Sequence, residues 1–508
     1  MKIVDNQTVL LGPPGCGKTT SILSRIEVEL QTVDPKKLAL VSFTKKAVEE
    51  AVQRVQQRFK LTRDKLLYFQ TVHSMCYRQL GLNRNDLMTR ENFSELGEIL
   101  GYAMNASISQ EDGALVLPDQ DKGSRLLFLD NMARIRQESV KDTWRSMNVD
   151  MSWAEVERFC TAYAEYKKMT GKLDFTDLLQ RYVDSGQPLD VDVGFIDEAQ
   201  DLSKLQWAVL CRCFVNAKRV VIAGDDDQSI FKWSGADLGS FLSLKGDMQV
   251  LARSYRLPKA VHKKARGIIQ RVRHRFEKEF EPADKEGSVS YVSSLDAVRI
   301  DPEETTMILV RNVYLLNRVY ELLKLRGLNY TGRNGVTSVN EAHVRAIICW
   351  EALRKGDALT LEDTKLVYGH LRVGAVLARG GKAALNELTE SSDSFSWETL
   401  NVFYGLQDLP IWHVALEGIP AEKREYYISL LRQGKKLTAE PKIHVNTVHG
   451  VKGGEAEHVV VVTDISKKTH EEMTKDPCSE HRVFYVAVTR AKEKLTIVMP
   501  QSRFSYPC

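Results

Sequence analysis

Leu11-Gly12-Pro13-Pro14-Gly15-Cys16-Gly17-Lys18-Thr19-Thr20 is the stretch whose reading decides the fold. It fits G-x-x-x-x-G-K-[ST], the pattern of a phosphate-binding loop. Val9, Leu10 and Leu11 read as a short buried strand entering the loop, and Thr20 to Leu30 as the helix leaving it. Between strand and helix, glycines let backbone N–H groups turn inward around a phosphate chain. Gly12, Pro13, Pro14, Gly15, Cys16, Gly17, Lys18, Thr19 and Thr20 then form the cradle. In it Lys18 reaches the β- and γ-phosphates and the Thr19 hydroxyl ligates Mg²⁺. A plain glycine-rich connector has no use for Lys-Thr at that place.

A strand from Val191 to Ile196 ends in Asp197-Glu198-Ala199-Gln200-Asp201. After an apolar strand downstream of a phosphate loop, this pair reads as the second half of a nucleotide-hydrolysis site. Asp197 would hold Mg²⁺ and Glu198 would orient and deprotonate the attacking water. The strand Arg219 to Ala223 runs into Gly224-Asp225-Asp226-Asp227-Gln228-Ser229-Ile230-Phe231-Lys232-Trp233-Ser234-Gly235-Ala236. Three acids lack the later Gly and Glu of a calcium loop. Gln228 is placed to sense a γ-phosphate, and Trp233 to stack on a base.

The other segments extend this α/β pattern. Lys37 to Phe43 is a buried parallel strand, followed by Thr44 and a helix. At a strand's end Phe43 reads as core or as a base-stacking ring. Phe69-Gln70-Thr71-Val72-His73-Ser74 follows, with His73 read as a structural hydrogen-bonder. Gly81 to Gly171 is mainly helical, and Ser152-Trp153-Ala154-Glu155 is a capping box. Lys167 and Lys168 near its end suit the helix dipole or a DNA backbone. The Arg253 to Arg275 stretch is basic and free of acids, which fits a phosphate backbone or a solvated helix face. Thr306 to Val310 begins a second strand–helix system. Gly335 to Pro441 is helical again. Strands at Ile443 to Thr447, Val459 to Thr463 and Lys494 to Met499 complete the pattern, and Asp464 to Glu480 reads as a polar surface loop.

At 508 residues the chain has room for three or four domains. A net charge of +4 excludes global basicity as the source of nucleic-acid binding, so any such site is a local patch. The eight cysteines are scattered, with no C-x-x-C, which argues against a zinc or iron–sulfur site and for a reduced cytosol. No signal pattern or membrane-length apolar run is present, so the expectation is a cytoplasmic protein without membrane contact.

Taken in order, these motifs resemble a superfamily 1 helicase of the UvrD/Rep/PcrA type. They are Gly12 to Thr19, Ser42 to Ala47, Thr71 to Ser74, Asp197 to Asp201, Gly224 to Ala236, Leu251 to Arg256, Thr447 to Glu455 and Tyr485 to Lys492. The resemblance implies two RecA-like P-loop motor domains with parallel sheets, each carrying a mainly helical insertion. Their bounds would be 1–80 with 172–250, insertion 81–171, then 251–334 with 441–508, insertion 335–440. It implies ATP and Mg²⁺ as cofactors and single-stranded DNA and its junctions with duplex as partners. The activity implied is 3′-to-5′ translocation and unwinding by a monomer. Gln228, Arg256 and Arg490 would contact the γ-phosphate, Tyr255 the adenine and Glu455 the ribose. Phe43, Thr44, Thr71, His73, Trp233 and His449 would touch DNA. Alternatives are a translocase that unwinds only with a protein partner, and a nucleotide-gated switch.

Four features depart from the family pattern. There is no room upstream for its adenine-reading Gln motif, since Gln7 lies too close to the loop. The Gly-Pro-Pro-Gly sequence is more typical of the branch with opposite polarity. The second insertion is short and lacks a Pro-Arg-Gly-Ile-Gly signature, and the chain stops soon after its last motif.

Overall fold

The computed structural model describes residues 1–42, 45–104, 107–108, 115–116, 121–147, 149–388 and 394–508, with backbone alone at 46–47, 107–108 and 115–116. Phe43 and Thr44 lie outside the described residues. The chain divides into two compact units, Met1–Gly287 with Glu472–Thr489, and Ser288–Glu471 with Arg490–Cys508.

In the first unit, six strands form one parallel sheet. They are β1 (Gln7–Leu11), β2 (Leu38–Ser42), β3 (Tyr68–Thr71) and, beyond a short antiparallel pair β4 (Ser107–Ile108) and β5 (Leu115–Val116), β6 (Val193–Asp197), β7 (Arg219–Gly224) and β8 (Asp247–Val250). The order is β3-β2-β6-β7-β1-β8. Helices cover both faces, so the inner strands β2, β6 and β7 are buried almost throughout, while the edge strand β8 is largely exposed. Side-chain alternation splits them between two core layers. Val9, Leu11, Val41, Ile196 and Ile222 enter one, and Leu10, Leu40, Phe195 and Val221 the other. Consecutive strand residues thus point to opposite faces.

The insertion between β3 and β6 builds its own core from Phe93, Leu126, Phe159 and Tyr163. The Ser152–Glu155 capping box starts the helix Trp153–Thr170, and Gly171 ends it at φ 67°. Lys167 is neither a free dipole partner nor an open phosphate contact. Its Nζ bonds Asp174 at 3.0 Å and Asp177 at 2.7 Å, in a half-buried network with Arg134.

The segment Leu251 to Gly287 packs in the first unit, although the motif order groups it with the second motor. The helix Lys259–Ile269 buries Val261, Ala265, Ile268 and Ile269. It packs against the helix Pro477–Val488, which also belongs to this unit.

The second unit holds a five-stranded parallel sheet of β9 (Ser288–Val292), β10 (Thr306–Val310), β11 (Ile443–Thr447), β12 (Ala456–Val462) and β13 (Ala491–Val498), in the order β11-β10-β12-β13-β9. A helical subdomain between β10 and β11 has a separate core around Trp350, Tyr427 and Leu430. The Asp464 to Glu480 stretch is not a loop. Lys467–Lys475 is helical and Pro477 opens the next helix. The first of these buries only Thr469, so it carries no apolar period to read from sequence. No helix among the described residues is long and apolar enough to cross a membrane.

Candidate nucleotide and nucleic-acid site

The loop after β1 is a tight cradle. Gly12 N–H donates to Gly224 O at 3.0 Å, fastening the loop to the end of β7. Lys18 folds back over it and donates from Nζ to Gly12 O at 2.9 Å. A Cβ on Gly12 would lie 1.9 Å from Lys18 Cγ, so the lysine needs glycine there. Gly15 and Gly17 have φ of 72° and 74°, in the left-handed region. Gly17 then leads into the helix Lys18–Glu29, and the first-turn N–H groups of a helix in this position are donors suited to a phosphate. Cys16 is buried, and that burial pushes its thiol up to about 12, which makes it a protonated filler and not a nucleophile.

The two acids sit where β6 ends. Thr19 opens the helix after the loop and lies near enough to Asp197 for its hydroxyl to favour the ionised carboxyl, so the two expected Mg²⁺ ligands are neighbours. Burial raises the Asp197 carboxyl, the Glu198 charge adds to this, and Lys18 opposes it. Glu198 occupies the left-handed region at φ 51°, a strained position for a non-glycine residue. Its Oε2 accepts from Gln200 Nε2 at 2.6 Å. Hard oxygen donors from one hydroxyl and one carboxylate suit Mg²⁺ completed by substrate phosphates and water. Among the described residues no cluster of three His, Cys, Asp or Glu could hold a metal by itself.

Two further segments reach this cradle within the same unit. Tyr255 N–H donates to Gly15 O at 2.9 Å and the Ser254 hydroxyl to Pro14 O at 2.7 Å. A Cβ on Gly15 would lie 2.3 Å from Arg256 Cβ, so Arg256 packs directly on the loop. The Tyr255 ring is 75% exposed, open to a planar ligand. Gln228 is buried and donates to Asp225 Oδ2 at 2.7 Å. Lys18, Thr19, Asp197, Glu198, Gln228, Tyr255 and Arg256 are therefore gathered in one unit. Gln200 was not singled out in sequence; its place two residues after Glu198 was the only signal.

Glu455 and Arg490 belong to the second unit. Arg490 is buried, with Nη1 3.4 Å from Gly454 O, and Glu455 pairs with Lys492 at 3.5 Å. Gln7 is occupied structurally, accepting from Ile3 N–H at 2.8 Å and donating to Lys245 O at 2.5 Å.

The residues expected to touch DNA also follow strand ends. Thr71 ends β3 and caps the helix Val72–Gln79, accepting from Ser74 N–H at 3.3 Å. The His73 ring lies edge-on to Phe175 at 6.0 Å. Burial of that ring lowers its pKa to about 4, although the residue as a whole is only half-buried, so it is neutral at pH 7. Trp233 follows β7, is 58% exposed and meets Phe231 edge-on at 6.4 Å. His449 follows β11 in the second unit. In the first unit the nucleotide residues leave β1, β6 and β7, which are neighbours in the sheet, while Thr71 and His73 leave the edge next to β2. All emerge at the carboxyl ends of parallel strands, the ligand-binding rim of such sheets.

Comparison with known proteins is consistent with this site. Residues 1–249 match the model of the UvrD/REP helicase N-terminal domain and residues 442–498 that of the UvrD-like helicase C-terminal domain. Similar curated proteins include the ATP-dependent DNA helicase PcrA of Staphylococcus aureus, 24% identical over 53% of this chain and 39% of that protein. PcrA of Bacillus subtilis is 25% identical over 57% of this chain and 41% of its own. A probable DNA helicase II homolog of Mycoplasma capricolum is 25% identical over 56% and 42%. The aligned region thus spans about two fifths of the length of these relatives. Among solved structures, the arterivirus nonstructural protein 10 helicase aligns with 98% of this chain and 60% of its own at 12% identity, with a TM-score of 0.34.

Proposed function

The chain belongs to the UvrD/Rep helicase family, and on that premise we propose that it is an ATP-driven motor that moves 3′ to 5′ on single-stranded DNA and opens duplex at junctions. One observation carries this reading. A single loop after β7 begins at buried Gln228, among nucleotide-site groups, and ends at exposed Trp233. Such a loop can convert the presence of a γ-phosphate into a change in grip on a base.

In this mechanism the backbone N–H groups around Gly15 and Gly17, with Lys18, hold the β- and γ-phosphates. Thr19 and Asp197 would hold Mg²⁺, which would supply positive charge against the phosphates. Glu198 takes a proton from the attacking water. Gln228 contacts the γ-phosphate, and Arg256 and Arg490 stabilise charge developing on it. The exposed Tyr255 ring stacks on the base of the nucleotide, and Glu455 contacts its ribose. Phe43, Thr44, Thr71, His73, Trp233 and His449 form the path for DNA.

The test uses two matched duplexes, one with a 3′ and one with a 5′ single-stranded tail. ATP-dependent opening of the 3′-tailed duplex alone supports the reading. Opening of the 5′-tailed duplex alone overturns the polarity. ATPase stimulated by single-stranded DNA with neither duplex opened leaves a translocase, and ATPase indifferent to DNA overturns the motor.

A further inference from the structure

Asp225, Asp226 and Asp227 are 0%, 0% and 1% exposed. Three adjacent carboxylates in such a place require cationic partners. Both partners come from the segment that follows the helix Lys259–Ile269. Lys278 has a side chain 1% exposed, and its Nζ lies 2.8 Å from Asp225 Oδ1 and 3.0 Å from Asp227 Oδ2 and also pairs with Asp226. Arg275 grips Asp227 in bidentate fashion, from Nε at 2.8 Å and Nη2 at 2.5 Å. The segment is pinned further by Phe276 N–H, which donates to Asp226 Oδ2 at 3.0 Å. Arg482 donates to Asp226 O at 2.9 Å and to His274 O at 2.7 Å.

Asp225 differs from its two neighbours in what else it holds. Its Oδ1 accepts from Lys278 and from Asp227 N–H, at 2.8 and 3.2 Å. Its Oδ2 accepts from Gln228 Nε2 at 2.7 Å. Its own N–H donates to Gln200 Oε1 at 2.9 Å, and Gln200 Nε2 donates on to Glu198. Asp225 therefore joins Lys278 to Gln228 through its carboxylate and to the Gln200–Glu198 pair through its backbone N–H.

We propose that Lys278 is a positioning residue for ATP hydrolysis, fixing Asp225 and through it Gln228 and the Gln200–Glu198 pair. This rests on the hydrolytic roles proposed above for Gln228 and Glu198. A carboxylate held on one oxygen by a buried ammonium cannot swing, so its second oxygen offers Gln228 a fixed acceptor. With Lys278 gone, Asp225 turns toward other donors and the carboxamide of Gln228 loses its rotamer. Misplacement by about 1 Å in such a constellation costs rate rather than binding.

The experiment compares the full chain with Lys278→Gln and Asp227→Asn. The second variant unbalances the same charge cluster but leaves the Asp225–Gln228 bond. Readouts are kcat with saturating single-stranded DNA, ATP affinity from a fluorescent ATP analogue, and backbone hydrogen exchange over 198–202 and 224–230. For Lys278→Gln, kcat falls ~10-fold or more, affinity changes less than ~3-fold, and both segments exchange faster. For Asp227→Asn, kcat falls less than ~3-fold. Should Lys278→Gln not fold, Asp225→Asn carries the same expectation. The proposal is overturned if Lys278→Gln keeps its kcat, if affinity falls as much as kcat, or if Asp227→Asn loses as much kcat. A parent chain that hydrolyses no ATP overturns the reading of the site itself. A parent that does so while Lys278→Gln keeps pace overturns only the role of Lys278.

Discussion

Gln200 donates to the Glu198 carboxylate at 2.6 Å, and Glu198 itself is held at φ 51°. The strained backbone and the buried amide together hold the carboxylate in one orientation, which in the proposed mechanism aims the general base before substrate arrives. Glu198→Gln is expected to bind ATP as the parent does while kcat falls by about 10²-fold or more. Gln200→Ala keeps the carboxylate but loses its aim, and its kcat should lie between the two. Steady-state ATPase with saturating single-stranded DNA measures both. A Gln200→Ala variant at the parent rate would show that the clamp does not aim the base.

The close approach of Lys18 to Gly12 makes a second prediction. An added Cβ at 12 would meet Lys18 Cγ at 1.9 Å and Cδ at 2.5 Å. Gly12→Ala therefore displaces Lys18, which the proposed mechanism places on the phosphates, and should lose nucleotide affinity. Lys18→Ala should abolish hydrolysis. Equilibrium titration with a fluorescent ATP analogue tests the first variant, and unchanged affinity would mean that Lys18 finds a second route around the loop.

Much of the fold was legible in the sequence because the inner strands of both parallel sheets are apolar runs, whereas edge strands such as Asp247–Val250 and Ser288–Val292 are not. Ile443–Thr447 and Thr306–Val310 match their expected bounds and the other expected strands shift by a few residues, while Tyr68–Thr71, Asp247–Val250 and Ser288–Val292 were not read as strands. What escaped were features whose meaning lies in distant partners. Arg275 read as the end of a basic run, with Lys278 just beyond it. Their pairing with Asp225 to Asp227 depends on a fold that brings residues some fifty positions apart together. The same pairing draws the segment after Leu251 into the first unit. Helix Lys467–Lys475 escaped for the opposite reason, since only Thr469 faces a core.

His73 supplies a pH prediction. Its ring titrates near 4 in the folded chain and near 6.5 when unfolded. The unfolded state then binds the extra proton first as pH falls. Stability from this group is complete above pH 6.5 and is lost as pH falls from 6.5 toward about 4. His73→Phe keeps the edge contact with Phe175 and removes the titration. Urea unfolding of both chains across this range should show the parent losing more stability than the variant. Equal losses would mean that the ring is solvated. A neutral ring also adds no charge at pH 7, so the salt dependence of DNA binding should be the same in both.

Trp233 tests the coupling itself. Its indole is held by Phe231 on one edge, and the preceding Lys232 pairs with Asp476 at 2.7 Å. That leaves the exposed face presented from a short 3₁₀ turn. Stacking of a base on such a face contributes about 1–3 kcal/mol, which corresponds to roughly 5- to 150-fold in affinity. Trp233→Ala should weaken single-stranded DNA binding within that range, and its DNA-stimulated ATPase should fall further than its DNA-free rate. Stopped-flow translocation on fluorescently end-labelled single strands gives the sharper result. A slower or less processive variant fits a ring that grips bases in step with hydrolysis. A variant that translocates at the parent rate would remove Trp233 from the DNA path and leave Gln228 as a nucleotide sensor coupled to DNA by some other contact.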